Sequence, residues 1–571
     1  MKPVKSLDTP SVISTSNPPP KSPTQARTIK TGNLPRLSTR QIKKESDQDS
    51  FSSSPRQSST SSSHTNPRSS RKPVKKSELD FAQLDAIYRN GKAEDQLKYG
   101  KMYADGNGVD QDYTKALNWY HRAADQNHPK AQFKLGVMYA SGKGVEINID
   151  RAISWLRTAA NQGHAQAQFF LGRMYLYGEG VDVNFDKAMR LFQKAAALGL
   201  PNAQCALGVM YEQGNGVEKN VGKAIAWYEK AANQNEPYAL FNLGLMYDQG
   251  NGVEKDFNKA MDLWEKAAKQ NHTDALLILG ITYRKGKVVV QDLSKAAYWF
   301  EKAAGQGNAK AQFNLGMMHY EGNGVAKDLN KAAAYLQKAA TQGHAEALFK
   351  LGMMHYEGNG VAKDLRKAAD YVQKAATQGH AEAQFTVGRM LEKGKGSAQD
   401  LSKAIKWYKK AAAQGHVNAQ LNLGLMHESG GGVTRDLNKA IEWYKKAAAQ
   451  GSVNAMVNLG SLYDEERNLS EAVKWYGDAA NGGDAEAQFY LGVMYYDGKF
   501  VKNDRAEAAK YFQMSAVQGH IKSQLFLGGL YEKGKGVKKD LAEAAKWYGK
   551  AAEQGDAEAI RKLSKLKKSG F

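Results

Sequence analysis

The stretch AQFKLGVMYASGKGVEINIDRAISWLRTAANQGH, residues 131–164, decides the fold, because variants of it fill most of this chain of 571 residues. The glycine of its Leu-Gly pair (Tyr-Gly or Val-Gly in two units) recurs every 36 residues from Gly100 to Gly460. An interval of 32 residues leads to Gly492, and one of 36 leads to Gly528. A fixed period of this length predicts a solenoid, in which each unit packs only against its neighbours.

Each unit predicts two helices joined by a turn. The first helix, near 131–140, places Ala131, Leu135 and Met138 on one face at helical spacing. A Gly-x-Gly-Val turn follows, in which the glycines can take positive φ. An acidic residue or asparagine then caps the second helix, which carries Trp155 and ends at a Gln-Gly pair. The units therefore predict an all-α protein.

Two recurring features predict how the helices pack. A glycine inside the first helix costs about 1 kcal/mol relative to alanine, so its recurrence indicates a neighbouring helix too close for a Cβ atom. We expect the Ala-Ala pair of the second helix to supply the matching small surface. The tryptophans of the recurring Trp-Tyr pair are expected to fill the core between neighbouring repeats. Representative positions are Gly136, Gly172, Gly208 and Gly244, with Trp119, Trp155 and Trp227.

The amino-terminal segment, residues 1–78, differs in composition from the repeats. It holds 10 of the 13 prolines, 19 serines and a single aromatic residue, Phe51. Its 15 Lys/Arg against 5 Asp/Glu give a net charge of +10, out of +22 for the whole chain. Such a segment buries too little apolar surface to offset its chain entropy, so we predict a disordered tail.

The tail has several possible roles. It is either a solubilising spacer or a docking segment regulated by phosphorylation, since Ser22-Pro23 and Ser54-Pro55 are typical of proline-directed sites. Its basic residues are scattered and lack interleaved aromatics, so they do not favour nucleic acid or an anionic membrane. No apolar run is long enough for a membrane span or a signal peptide. The single cysteine, Cys205, excludes an internal disulfide framework. These features predict a cytoplasmic protein.

The repeated pattern A-x-x-x-L-G-x-M-Y-x-x-G-x-G-V-x-x-D-x-x-K-A-x-x-W-Y-x-K-A-A-x-Q-G resembles the Sel1-like repeat, a relative of the tetratricopeptide repeat. The resemblance implies a right-handed αα superhelix whose first helices line the concave face, and an adaptor or scaffold role. Thirteen repeats then fill residues 93–556. Residues 79–92 would be a linker or an N-terminal cap, and 557–571 a capping helix and tail.

Nothing in the pattern indicates catalysis, a cofactor or a metal. The Gly-x-Gly loops follow helices and recur in almost every repeat, unlike a phosphate loop, which follows a strand. Five histidines share one turn position after Gln-Gly, and three replace the tyrosine that ends the first helix; positions one repeat apart do not converge on a metal. We expect Cys205 to be a buried, inert thiol. The two histidine groups are His164, His344, His380, His416 and His520, then His319, His355 and His427.

Positions that vary between repeats are the candidates for partner binding, because repeated residues hold the solenoid together. Two slots flank the Leu-Gly pair: slot 1 lies immediately before it and slot 2 immediately after it. Asparagine recurs in slot 1, and in tetratricopeptide relatives such an amide commonly holds a peptide backbone; apolar residues in slot 2 would contact its side chains. The residues predicted to bind a partner are Asn242, Asn314, Asn422, Asn458, Leu245, Met317 and Met353.

Three functions are compatible with these features. The first is a non-catalytic scaffold that binds a peptide or a partner domain on its concave face. The second is a translocated microbial effector that acts on host proteins in the host cytosol through the same surface. The third is a regulatory subunit of a membrane or cell-wall enzyme, as the resemblance allows. The mixed Asn, Lys and apolar lining favours protein partners over nucleic acid.

Overall fold

A computed structural model describes residues 81–286, 288–498, 504–568 and 570. The predicted tail, residues 1–78, lies outside the described residues. The described part of the chain forms 28 helices and no strand. It divides into two compact units, one ending at Ala275 and the other beginning at Leu276. The prediction of an all-α array of helix pairs is confirmed.

The helices alternate between the first helix of a repeat (helix A) and the second (helix B). Helix α1 spans Phe81–Asn90, within the segment predicted to be a linker or cap. In the first unit the pairs are α2 Ala93–Asp105 and α3 Tyr113–Asp125, α4 Pro129–Ser141 and α5 Ile149–Asn161, α6 Ala165–Tyr177 and α7 Phe185–Ala197, α8 Pro201–Gln213 and α9 Val221–Ala232, and α10 Pro237–Gln249 and α11 Phe257–Lys269.

Helix α12, Thr273–Lys285, begins in the first unit and is paired with α13, Leu293–Gly305. The remaining pairs of the second unit are α14 Ala309–Glu321 and α15 Leu329–Thr341, α16 Ala345–Glu357 and α17 Leu365–Thr377, α18 Ala381–Lys393 and α19 Leu401–Ala413, α20 Val417–Ser429 and α21 Leu437–Ala448, α22 Val453–Glu465 and α23 Leu469–Asn481, α24 Ala485–Asp497 and α25 Arg505–Val517, and α26 Ile521–Lys533 and α27 Leu541–Glu553. The last helix, α28, spans Ala557–Lys568.

The glycine inside helix A faces a large side chain of helix B in the same repeat. A Cβ atom on Gly172 would lie 2.7 Å from the ring of Phe192, and one on Gly136 would lie 2.7 Å from Leu156. The predicted close approach is therefore present, but the Ala-Ala pair is not its partner. The facing side chain is the residue after the tryptophan position, which stays at most 2% exposed in every repeat.

The tryptophans lie further out than expected. Trp119 is buried, but Trp155 and Trp227 are half-buried at the edge of apolar clusters that span their own and the preceding repeat. Several carry a lysine ammonium over the ring, such as Lys230, whose Nζ lies 4.4 Å from the centroid of Trp227. The fully buried tryptophan is Trp264, which occupies the inner position that faces the glycine.

A recurring glutamine joins consecutive repeats. The Nε2 of Gln384, in helix A, donates to the carbonyl oxygen of Ala376 in the preceding repeat at 3.1 Å. Its Oε1 accepts from Gln414 Nε2, at the end of helix B of its own repeat, at 2.8 Å. The signal in the sequence is a pair of glutamines thirty residues apart, of which helix spacing alone identifies the second only as the end of helix B. Equivalent bridges centre on Gln312, Gln420, Gln488 and Gln524.

Among the described helices, a side-chain cap begins helix B in all thirteen repeats and helix A in ten of them; helices α2, α4 and α8 have none. At helix B the predicted Asp or Asn is present; for example, Asp328 Oδ1 accepts from the backbone N–H of Lys331 at 2.9 Å. At helix A the cap is often a histidine. His272 Nδ1 accepts from the N–H of Ala275 at 3.2 Å, and its ring stacks on Phe241. The histidine turn positions therefore serve helix capping.

The shortened eleventh repeat keeps its packing. Helices α22 and α23 are joined by residues 466–468 without a Gly-x-Gly turn. The N–H of Asn468 donates to the carbonyl oxygen of Tyr463 at 2.8 Å, as Asp328 does to His319 at 2.9 Å in a full-length repeat. One apolar cluster runs from Ala440 through this repeat to Met494. The missing residues therefore shorten a loop without interrupting the core.

Histidine capping predicts a loss of stability in acid. Burial, which disfavours the charged ring, lowers the pKa of His272 from 6.5 to about 4. The neutral ring can then accept the capping hydrogen bond at Nδ1. The unfolded chain therefore binds a proton first, so stability is full above pH 6.5 and falls as the pH drops from there towards 4. We expect His272→Asn to remove about 2 kcal/mol of this dependence between pH 7.5 and pH 5. Urea unfolding at pH 7.5 and pH 5 measures it.

Asparagine already occupies the equivalent cap position in another repeat, where Asn308 Oδ1 accepts from the N–H of Ala311 in helix α14 at 2.9 Å. The variant should be close to the wild type in stability at pH 7.5. Identical pH profiles for the two proteins would show that His272 does not titrate in this range.

Candidate protein-binding face

The two variable slots of helix A differ in exposure between the two units. In the third to fifth repeats, within the first unit, five of the six slot residues are buried and Leu245 is half-buried. Phe170 shows the reason, because its ring packs against Phe133 of the preceding helix A with centroids 5.4 Å apart. In the second unit Met317 and Met353 are half-buried, and Leu425 is 44% exposed. The most exposed apolar slot residues, Leu425 at 44% and Phe526 at 41%, therefore belong to the second unit.

The predicted asparagines are less accessible than a peptide-binding amide would need to be. Asn242 and Asn314 are 4% and 8% exposed, and Asn422 and Asn458 are half-buried. The Nδ2 of Asn314 donates to the carbonyl oxygen of Lys310 within its own helix at 2.8 Å. Their role in binding a partner stays a prediction.

Three of these amides bond a tyrosine of the preceding repeat. Asn242 hydrogen-bonds the side chain of Tyr228, and Asn422 and Asn458 do the same to Tyr408 and Tyr444. The Tyr228 hydroxyl in turn donates to a carboxylate oxygen of Glu212 at 2.6 Å.

Burial, then the charge of Glu212, raise the pKa of Tyr228 well above its usual value, so the hydroxyl keeps its proton. A protonated hydroxyl can donate to the glutamate while it accepts from the amide. The asparagines therefore link consecutive repeats through a Glu–Tyr–Asn chain.

Aromatic and basic side chains neighbour the slot 2 methionines. Tyr320 and Tyr356 are half-buried near the carboxyl ends of α14 and α16, the helices that carry Met317 and Met353. The Nζ of Lys350, a slot 1 residue, lies 3.6 Å from the centroid of the Tyr320 ring. Methionine and aromatic rings together form an adaptable apolar surface with a fixed cation beside it.

A groove lies beside α15 and α17, the helices B of two consecutive repeats. Cavities of about 520 and 430 Å³ share Gln337 and Tyr371 in their linings. The hydroxyl of Tyr371 donates to Gln337 Oε1 at 2.8 Å across this groove. Its lining mixes small and amide side chains with Lys367, Lys374 and His355.

The residues considered for chemistry have structural partners. Cys205 is buried, and burial raises the pKa of its thiol well above the usual value, which keeps the sulfur protonated. His319 and His355 stack on Tyr335 and Tyr371 of their own repeats. Within the part of the chain that the structure describes, His, Cys, Asp and Glu do not group as metal ligands would. Nor does any described helix have the length and apolarity to cross a membrane.

Paired helices that repeat and pack in sequence define an α-solenoid, a fold typical of protein–protein interaction scaffolds. The Sel1 repeat model matches thirteen consecutive units. The chain belongs to the Sel1 repeat family. The matched units are residues 93–128, 129–164, 165–200, 201–236, 237–272, 273–308, 309–344, 345–380, 381–416, 417–452, 453–484, 485–520 and 521–556.

Solved structures of Sel1 repeat proteins resemble the chain. The protective antigen c5321 of uropathogenic Escherichia coli strains is 34% identical, with a TM-score of 0.66; the match covers 73% of this chain and 91% of the antigen. A Sel1 repeat protein from Oxalobacter formigenes is 31% identical, with a TM-score of 0.41, over 63% of this chain and 98% of its own. Among curated proteins, none matches the chain.

The Glu–Tyr–Asn chain predicts that Asn242 stabilises the fold. Asn242→Ala should lower the free energy of unfolding by about 1 kcal/mol, because the Tyr228 hydroxyl loses a hydrogen-bond donor. The double variant with Tyr228→Phe should cost less than the sum of the single variants, with a coupling of about 0.5–1.5 kcal/mol. Urea unfolding of the four proteins measures it. A stable Asn242→Ala protein with weakened partner binding would support the peptide-holding role instead.

Proposed function

We propose that the protein is a non-catalytic scaffold that binds a peptide or partner domain on the helix A face of its second unit. The accessible slots carry the proposal. Met317, Met353 and Leu425 occupy positions that differ between repeats, so the architecture does not require them, and all three retain solvent exposure. Apolar side chains at such positions favour a protein ligand, since exposed apolar patches commonly mark interaction sites.

Two of the predicted asparagines belong to this proposed binding face. Asn422 and Asn458 are half-buried beside the accessible slot 2 residues Leu425 and Ser461. An amide that bonds one tyrosine hydroxyl still has a carbonyl oxygen that can accept from a peptide N–H. We therefore assign peptide contacts to Asn422 and Asn458 before Asn242 and Asn314, which have less exposed surface.

Site-specific photocrosslinking tests the proposal. A benzophenone side chain at position 353 or 425 should crosslink one and the same partner in cells. The controls are positions 298 and 517 on helices B, where Tyr298 and Val517 are 49% and 69% exposed.

The double variant Met353→Glu, Leu425→Glu should lower the captured yield about tenfold or more, because interface hot spots lose at least about 2 kcal/mol on substitution. Val517→Glu should leave the yield unchanged. Equal crosslinking from the control positions, or full capture by the double variant, would contradict binding at this face.

A further inference from the structure

The residues in the two slots of helix A differ in the last repeat of the second unit from those in the other repeats. In the last repeat slot 1 holds Phe526, which is 41% exposed, and slot 2 holds Gly529, where each of the other twelve repeats has a side chain. A Cβ atom on Gly529 would have a single neighbour within 4 Å, the hydroxyl of Tyr548 at 3.6 Å. An exposed ring therefore lies one helical turn from an open position.

The groups around this opening are held in place. The Phe526 ring stacks on Phe512 with centroids 5.4 Å apart and contacts Phe489 edge-on at 5.6 Å. The Tyr548 hydroxyl donates to a carboxylate oxygen of Glu532 at 2.7 Å. Because both are fixed before a ligand arrives, binding here would lose little side-chain entropy.

Basic residues surround the opening. Helix α28 carries five basic residues and one glutamate, a net charge of +4. The Nζ of Lys562 on this helix lies 5.3 Å from the centroid of the Tyr548 ring, beside Gly529. On the other side, Lys522 Nζ lies 6.0 Å from the centroid of Phe489. Aligned with a helix A, α28 places Lys562 in slot 1 and the exposed Lys565 in slot 2.

We propose that this C-terminal patch, formed by Lys522, Phe526, Gly529, Lys562 and Lys565, binds an acidic peptide segment. An apolar side chain of the peptide packs on Phe526 over Gly529, and its carboxylates face the lysines. The inference rests on the proposed scaffold function and adds a location and a partner class.

The composition of the patch favours a peptide over nucleic acid. Glu532 and Glu558 lie among the lysines; Glu558 pairs with Lys562 at 3.3 Å. A phosphate backbone places a charge opposite them at every step, whereas a peptide can place an uncharged residue there. The patch presents the single ring of Phe526, whereas single strands are held by rings on which successive bases stack.

Fluorescence anisotropy with the full-length protein tests the patch. The probe is a short fluorescein-labelled peptide of glutamates with a central phenylalanine, and the control probe has glutamine in place of glutamate. Gly529→Leu fills the open position in a helix without a close contact, so it should fold and yet weaken the peptide about tenfold. Lys522→Glu with Lys562→Glu should weaken it at least as much, by charge repulsion.

The matched control is Lys406→Glu with Lys409→Glu, two exposed lysines on helix α19 whose reversal changes the net charge equally. This variant and the wild type should bind alike, and the glutamine probe should bind weakly to both. If the patch variants bind the peptide as tightly as the wild type, or if the wild type does not bind it, the proposed patch is wrong. The scaffold proposal is tested separately, by the crosslinks at positions 353 and 425. Tighter binding of single-stranded DNA or phosphatidylserine vesicles, lost in the same variants, would also overturn it.

Discussion

The distance between the two helices of a repeat is set by a glycine that faces a large side chain. In all thirteen repeats the Leu-Gly position of helix A lies against the inner side chain of helix B, which is a tyrosine in six of them. A Cβ atom at this point would come within about 3 Å of that side chain. Because the helices approach so closely, the inner side chain is removed from water, and burial of one large side chain contributes roughly 1.5–3 kcal/mol. The contact is repeated in the shortened eleventh repeat between Gly460 and Tyr476.

The other repeated residues join one repeat to the next. The glutamine bridge around Gln384 and the Glu–Tyr–Asn chain through Tyr408 both cross from helix B of one repeat to helix A of the following one. These links satisfy buried polar atoms, which would otherwise destabilise the fold. Since nearest-neighbour contacts hold such an array together, the positions left over are free to vary. The slots occupied by Met353, Leu425 and Phe526 are of this kind, which is why they are the best candidates for recognition.

The sequence predicted the helix pairs, their caps and the close approach at Gly136 because these depend on local spacing. It did not predict that Leu156, rather than the Ala-Ala pair, faces Gly136, since the rotation of helix B about its axis depends on tertiary packing. The repeat pattern also does not distinguish buried slots from exposed ones, although Asn242 is buried and Leu425 is exposed. Exposure at a slot depends on how closely the neighbouring helix A packs, as the contact between Phe133 and Phe170 shows. A repeat pattern carries no information on the distance between consecutive helices A.

Two glycines of the eleventh repeat test the glycine contact most directly. A Cβ atom on Gly460 would lie 2.6 Å from the Tyr476 ring, whereas one on Gly477, the next residue of helix B, would meet nothing within 4 Å. Native-state hydrogen exchange of helices α22 and α23 in Gly460→Ala and Gly477→Ala proteins measures the local stability. We predict that Gly460→Ala lowers it by about 1–3 kcal/mol through overpacking, and that Gly477→Ala raises it by up to about 1 kcal/mol through helix propensity. A stabilising effect of both substitutions would contradict the claim that this contact sets the helix spacing.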